Sequence, residues 1–308
     1  MAKRLLIPRQ LRVSAVQIET KVLDLVRVYR VRSERVRTLL LDMGLDPRTR
    51  AEYSATLAKI NLEIDALNKT ARSWSQDALT DAYLRGQGMT GEIILRQTGT
   101  DALAWNAALP HRAAIDALWQ DTAATLLNAN ESMRQKAVAT IRRTQLATVQ
   151  ELLIRRSIGE GLERGLLRRD VSDEILRGLL KDLDDGKIVR IKGRNYQADK
   201  YSDLVARTMT KAAVVQGNIN QGAQYGVDLY YVTQHTHPVG TSDPCDQYAG
   251  RTFSISGKDP DFPKLRERPP FHPNCKHTLV GRIKQTLKDR GTLGKAIERS
   301  NEPVEVAA

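Results

Sequence analysis

The sequence predicts an α+β protein that is predominantly α-helical, and three observations support this class. Over most of the first 225 residues, apolar side chains return every three or four positions, as on one face of a helix. Short runs of β-branched and aromatic residues at 187–196 and 229–233 indicate strands. Proline is too frequent in residues 235–277 for a long helix. We therefore expect a helical N-terminal region, and a C-terminal domain with a small antiparallel β-sheet and a Pro/His/Cys-rich loop segment.

The N-terminal residues predict long amphipathic helices. The first covers about residues 11–41 and is basic, because arginines fill the gaps between its apolar positions. Gly44 ends it and Pro47 begins the next helix, since glycine suits the position after a helix and proline suits a first turn. The second helix should end at a loop that contains Gly86, Gly88 and Gly91. Helix-compatible sequence then resumes and is interrupted by Pro110.

The central part of the chain predicts further helices and the strands. A helix covers about residues 130–156, and after a glycine-containing break Asp170 or Ser172 can cap another, in a helix-turn-helix-like arrangement. A hairpin, a helix and a strand are predicted at 187–196, 202–224 and 229–233. The last part of the chain predicts a helix and a frayed tail.

These elements divide the chain into three predicted regions. They are a helical N-terminal region at 1–125, a domain at 126–283, and a C-terminal helix and tail at 284–308. A hydrophobic content of 41% is enough to build a core in a chain of 308 residues, which excludes a fully disordered protein.

The composition restricts the compartment and the partners. Forty-eight Lys and Arg residues against thirty-six Asp and Glu residues give a formal charge of +12, which favours polyanions such as double-stranded DNA. No segment approaches the roughly 20 apolar residues of a membrane helix, and the N-terminal apolar run is too short for a signal peptide. Two cysteines are too few for a disulfide scaffold. We expect a protein made in a cytoplasm, without a membrane partner.

Arginines concentrate on two adjacent predicted helices and form a candidate nucleic-acid-binding surface. Neutralisation of phosphates there would give binding that depends on salt and not on base sequence. The alternative interpretation is a solvated helix face that binds nothing. The candidate residues are Arg142, Arg143, Arg155, Arg156, Arg168 and Arg169.

The most unusual segment lies between His235 and His277. It holds four of the five histidines, both cysteines, all three phenylalanines and seven of the eleven prolines. Together with Ala206-Arg207-Thr208 on a helix, its two motifs, Asp243-Pro-Cys-Asp-Gln-Tyr and Pro269-Pro-Phe-His-Pro-Asn-Cys, resemble those of the phage Mu F-like minor head proteins, also called phage head morphogenesis proteins. The resemblance covers about residues 130–283.

This resemblance implies a structural protein and not an enzyme. It implies a minor capsid protein that is present in the virion in few copies and is assembled in the host cytoplasm. Its expected partners are the portal protein and the major capsid or scaffolding protein, and it would aid head assembly and DNA packaging or delivery. The chain departs from the family pattern at Met209, where members often have Glu, and at Tyr248 and His277, where many have Cys.

The same segment offers a candidate zinc site. Zinc accepts tetrahedral sets of Cys and His, and such a set is available in Cys245, His272, Cys275 and His277, with His235 or His237 in reserve. The spacing contains no C-x-x-C pair, however. Two alternatives are a proline-rich turn in which Cys275 packs as a small apolar residue, and a Cys245–Cys275 disulfide.

Two other functions are compatible with the residue types. His272, Asn274 and His277 are the residue types of a metal-dependent His-Asn-His nuclease, in which one histidine activates water beside a cation. Those nucleases carry the three residues far apart in sequence, whereas here they lie within six positions. The other alternative is a sequence-independent DNA-binding protein, as the net charge suggests.

Overall fold

A computed structural model of the chain describes residues 13–43, 50–103, 109–158, 183, 186–235 and 243–302. Long helices dominate these residues, and the α+β class is confirmed. The α-helices in the described ranges are α1 (Ala15–Leu41), α2 (Arg50–Thr98), α3 (Leu109–Ile158), α4 (Ala198–Gln224), α5 (Lys284–Asp289) and α6 (Leu293–Asn301). None of them combines the length and the apolar character that a membrane span requires.

The strands form two small antiparallel sheets. Strands β1 (Val189–Ile191) and β2 (Arg194–Tyr196) pair as the predicted hairpin. The second sheet has the order β4-β3-β5, and its strands are β3 (Leu229–Val232), β4 (Thr252–Ser254) and β5 (Leu279–Arg282). Tyr230 in the central strand lies opposite Phe253 and Gly281. The predicted strand at 229–233 is therefore the centre of the sheet, which fits its fully apolar and aromatic composition.

The chain folds into two compact units, and each is assembled from separate stretches of sequence. Unit 1 contains Met1–Val22, Trp74–Thr122 and Leu204–Ala308, and unit 2 contains Leu23–Ser73 and Ala123–Asp203. This division differs from the three consecutive regions expected from the sequence, whose boundaries stay a prediction.

In unit 1, the central core lies where α4 and the end of α2 pack on the three-stranded sheet. It includes Val215 and Ile219 of α4, Tyr230 of β3 and Leu279 of β5, all buried. The Tyr230 hydroxyl donates to the Asn218 carbonyl over 3.2 Å, so its buried polar atom is satisfied. Helix α6 covers the edge strand β4, where the Thr252 amide donates to the Ser300 hydroxyl over 3.0 Å.

Unit 2 is built on helical segments of α1, α2 and α3. Its largest fully buried side chains are Leu25, Tyr29, Met43, Ile60, Ile64, Leu67, Leu126, Met133 and Ile188. The β1–β2 hairpin is fixed to α3 by Ser132, whose hydroxyl accepts from the Arg190 amide at 2.8 Å and donates to the Arg190 carbonyl at 2.9 Å.

One predicted loop is wrong, because α2 runs without a break through Gly86, Gly88 and Gly91. Gly86 and Gly91 serve close packing and not a turn. A Cβ added to Gly86 would lie 2.0 Å from the Val214 carbonyl oxygen of α4, and one added to Gly217 would lie 2.1 Å from the Tyr83 carbonyl oxygen of α2. Glycine therefore lets the two helix backbones touch, at a propensity cost that the packing offsets.

Most of the other predicted elements are present in the described residues. The first helix, the hairpin, the central strand and the helix that ends at Gln224 are confirmed, and Pro110 lies in the first turn of α3, where proline is tolerated. The C-terminal helix is present as α6. The helix-turn-helix-like arrangement around Asp170 lies outside the described residues, as does the predicted frayed tail from residue 303.

Candidate metal centre

The Pro/His/Cys-rich segment folds against one end of the three-stranded sheet. The pairing of β3 with β5 continues past the strands, since the Thr233 amide donates to the Thr278 carbonyl over 3.0 Å. This extension brings His235, which follows β3, beside His277, which precedes β5; their ring centroids are 4.3 Å apart. The Gly250 amide donates to the Val232 carbonyl over 2.9 Å and holds the chain before β4 at the same end.

A short 3₁₀ helix, Pro244–Tyr248, carries the first cysteine to this end of the sheet. Asp243 precedes it in an extended conformation, and its amide donates to the Asp246 carboxylate over 2.8 Å. Proline at the first position suits a helix start, because its missing N–H would have no partner there. Cys245 is consequently turned inward and is buried.

A tight turn presents the second cysteine. The Cys275 amide donates to the His272 carbonyl over 3.1 Å, and Asn274 between them has a φ of 64°. Asparagine tolerates this left-handed region better than most side chains. The turn leaves Asn274 exposed and buries Cys275.

Three of the predicted ligand residues form a group. The Cys245 Sγ lies 3.0 Å from His272 Nε2, and these atoms and the Cys275 Sγ all lie within 4.8 Å of one another. His272 Nδ1 is 2.9 Å from the Pro273 carbonyl oxygen. Because a carbonyl can only accept, Nδ1 carries the proton and Nε2 directs its lone pair toward Cys245.

The fourth predicted residue joins this group to a second one. His277 Nδ1 lies 3.6 Å from the Cys275 Sγ, and its Nε2 lies 3.2 Å from His235 Nδ1. A carboxylate oxygen of Asp246 and one nitrogen each of His235 and His277 also lie within 4.8 Å of one another. The structure therefore groups three of the four residues that the sequence predicted and places the fourth, His277, beside Cys275. His237, named in reserve, lies outside the described residues.

Burial and charge shape the chemistry of the two thiols. Both cysteines are free and buried. Burial, and then the neighbouring Cys275, raise the pKa of the Cys245 thiol to about 12. The Cys245 thiol therefore resists ionisation unless a cation compensates its charge.

The sequence did not predict two residues that lie beside this centre. Lys211 of α4 donates from Nζ to the Cys275 carbonyl, and burial lowers the pKa of its ammonium, although the charge of Cys275 acts in the opposite sense. Asp246 contributes the carboxylate. No local signal marks Lys211, whereas Asp246 follows Cys245 directly and shares the Asp243-Pro-Cys-Asp motif.

Aromatic rings pack against the centre. Tyr248 stacks on Phe271, with ring centroids 4.3 Å apart and 9° between the ring planes, and Phe271 meets the edge of His277 at 6.1 Å. Tyr248 therefore contributes packing to this segment. Such rings exclude water and lower the local dielectric around His277.

The residues of the nuclease hypothesis do not share one solvent-facing surface. His277 is fully buried, whereas Asn274 is exposed, and His272 directs Nε2 at Cys245. A nuclease requires these groups to meet a phosphate together. The geometry therefore favours the metal-ligand interpretation of these histidines.

The predicted arginine surface is described only in part. Arg142 and Arg143 are exposed on α3. Arg143 lines a cleft together with Lys136 and with Arg190 of the hairpin. The side chains of Arg155 and Arg156 and the whole of Arg168 and Arg169 lie outside what the structure describes.

Unit 1 contains one more buried histidine, His111 near the start of α3. The Tyr83 hydroxyl oxygen lies 2.8 Å and Gln87 Nε2 lies 2.9 Å from its Nδ1, and Gln224 Nε2 lies 2.6 Å from its Nε2. Burial lowers the pKa of His111, and the hydrogen bond with Gln224 opposes that shift. Neutral hydrogen-bonding groups on α2 and α4 therefore hold this imidazole.

A model of the family described as phage minor capsid protein 2 matches residues 55–286 of the chain. All four predicted ligand residues fall inside this range, and α1 precedes it. No curated protein and no solved structure matches the chain.

Proposed function

The chain belongs to the phage minor capsid protein 2 family, and from that premise we propose that it binds the portal protein inside the phage head and assists head assembly and DNA packaging or delivery. The observation that carries this proposal is the extent of the family match, which covers most of the chain. A structural head protein is a component of the virion. The narrower Mu F-like identity stays a prediction from the motifs of residues 206–208, 243–253 and 269–279.

A surface of unit 2 suits contact with another head protein. The apolar side chains of Val31, Leu39 and Leu62 line a groove between α1 and α2 whose rim carries Arg35 and Lys59. Leu62 is 70% exposed, which is unusual for a large aliphatic side chain. Apolar surface with a charged rim is typical of protein interaction sites. We assign the portal contact to this groove.

Co-expression with the portal protein of the same phage tests the proposal. We expect the two proteins to co-purify, and Leu62→Asp to abolish co-purification because it places a charge in the groove. Leu146→Asp is the matched control, since Leu146 is 62% exposed on α3 and does not line the groove. A wild-type chain that never associates with the portal, together with infectious virions from a phage that lacks the gene, would contradict the assignment.

Contact with DNA is a second candidate function, favoured by the exposed arginines of α3. Arg142 and Arg143 make no ion pair with any described residue, and Lys136 and Arg190 add positive charge beside Arg143. Such a surface can neutralise phosphates without reading bases.

Salt-dependent binding to duplex DNA tests this second candidate. Each lost phosphate contact reduces the magnitude of the negative slope of log K against log salt by about 0.9. The double variant Arg142→Gln, Arg143→Gln should therefore reduce that magnitude by about 1.8. Arg96→Gln is the control, because Arg96 is exposed but pairs with Glu92 at 2.9 Å. Equal slopes for all three proteins would exclude DNA contact by these residues.

A further inference from the structure

We infer that Cys245, His272, Cys275 and His277 bind one structural Zn²⁺ ion at the end of the three-stranded sheet. Cysteine thiolates and neutral imidazoles are the ligands that zinc prefers, and sets of two of each close a tetrahedral structural site. The inference stands apart from the portal proposal, since a metal can stabilise the fold whatever the protein binds.

Two distances between ligand atoms test this assignment. Zn–S bonds of about 2.3 Å and Zn–N bonds of about 2.05 Å at a tetrahedral angle place sulfur and nitrogen about 3.6 Å apart. The Cys275 Sγ and His277 Nδ1 are 3.6 Å apart. The Cys245 Sγ and His272 Nε2 are closer, at 3.0 Å, so this pair separates slightly to admit the ion.

The proton positions also suit a metal. His272 donates from Nδ1 to the Pro273 carbonyl and so offers Nε2 unprotonated. For His277 to offer Nδ1, its Nε2 must carry the proton, and His235 Nδ1 at 3.2 Å can accept it. A carboxylate oxygen of Asp246 lies within 4.8 Å of a nitrogen of each of these two rings and adds negative charge beside them. Outer-shell partners of this kind orient the ligands of zinc sites.

The place of the site in the fold indicates a structural role. Its ligands come from the 3₁₀ helix, from the turn at Asn274 and from the residue two positions before β5. Little regular secondary structure joins these segments, so a shared ion would fix them to the sheet. Two thiolates neutralise the charge of Zn²⁺, which makes the complete buried site electrically neutral.

Metal analysis of the purified full-length protein tests the inference. After expression in zinc-supplemented medium, we expect about one zinc per chain by elemental mass spectrometry, as for other four-ligand sites. Cys245→Ser, Cys275→Ser and His272→Ala should each lose the metal. Asn274→Gly is the matched control from the same turn, because glycine adopts a positive φ and the residue supplies no ligand.

Cobalt substitution of the wild-type protein identifies the ligands even if the cysteine variants fail to fold. The inference predicts the intense visible bands of tetrahedral Co²⁺ and a thiolate-to-cobalt charge-transfer band in the near ultraviolet. His277→Ala should weaken cobalt affinity by more than tenfold, and His235→Ala should weaken it by about tenfold as an outer-shell partner does. Unchanged affinity in His277→Ala would remove His277 from the site.

Thiol chemistry supplies a readout that is independent of metal content. In the native protein the two cysteines should resist a thiol reagent until a chelator removes zinc, and then both should react. The inference is overturned if zinc-supplemented preparations contain no metal and both thiols react at the same rate with and without chelator. It is also overturned if a Cys245–Cys275 disulfide forms under reducing purification.

Discussion

His111 and His277 are both completely buried in unit 1, but their surroundings differ in kind. Amide and phenol groups on α2 and α4 contact both ring nitrogens of His111. The nitrogens of His277 face a thiol and a second imidazole. Neutral amide and hydroxyl groups hold an imidazole through hydrogen bonds, whereas thiols and imidazoles that converge offer lone pairs to a cation. The partners of a buried histidine, and not its burial, therefore separate packing from ligation.

The largest expected difference between the surroundings of His111 and those of His277 is the response to a chelator. A ligand present at 100-fold its dissociation constant stabilises a fold by about 2.7 kcal/mol, so removal of zinc should lower the free energy of unfolding by at least that amount. Urea unfolding followed by circular dichroism, with and without chelator, measures the loss. In His111→Gln the chelator should still lower the free energy of unfolding by this amount. In His272→Ala, which should not bind zinc, the chelator should have no effect. An equal chelator effect in both variants would show that the two sites do not differ in metal binding.

A substitution in α4 that crowds Tyr83, which contacts His111, should have the next largest effect. In Gly217→Ala the new Cβ would lie 2.1 Å from the Tyr83 carbonyl oxygen, which is a backbone atom that cannot move aside cheaply. We expect a loss of about 3 kcal/mol, at the upper end of overpacking effects, with no change in zinc content. Gly294→Ala is the control, because nothing lies within 4 Å of its Cβ position. Thermal unfolding and metal analysis of the same samples provide both measurements.

A smaller effect is expected at the turn of the metal centre. Asn274 has a φ of 64°, and alanine there should cost about 1 kcal/mol because it lacks the short polar side chain through which asparagine tolerates the left-handed region. Asn274→Gly should restore or exceed wild-type stability. Urea unfolding ranks the three proteins, and a loss in Asn274→Gly as large as in Asn274→Ala would show that the asparagine side chain itself matters.

The smallest expected effect is the pH dependence that His111 contributes. Burial lowers the pKa of this imidazole, so the folded protein keeps it neutral while the unfolded chain binds a proton below the usual pKa of 6.5. The stability due to His111 is thus complete above that value and is lost as the pH falls below it. Unfolding with chelator present, at about pH 7.5 and about pH 5.5, should show a smaller pH effect in His111→Gln. Identical pH effects would exclude a role for His111.

The sequence predicted the proximity of the Cys and His residues better than the helix contacts, and the reason is physical. Cys245, His272, Cys275 and His277 belong to rare residue types that crowd one short segment, so loop closure alone brings them near each other. Asp246 and Lys211 were missed, since acidic and basic residues are common everywhere in this chain. The loop expected at Gly86 was wrong because close contact with the backbone of α4 requires glycine at this position and offsets its low helix propensity.

By itself, the sequence determined the helical period of the N-terminal residues, the central strand at 229–232, the ligand types of the Cys/His segment and the basic charge. These features depend on side-chain chemistry and on spacing between neighbours along the chain. Only the tertiary structure decided that Gly86 and Gly217 let α2 and α4 touch, that His277 faces Cys275 and His235, and that amides and a phenol surround His111. Each of these outcomes depends on contacts between residues distant in sequence, for which no local period or motif exists.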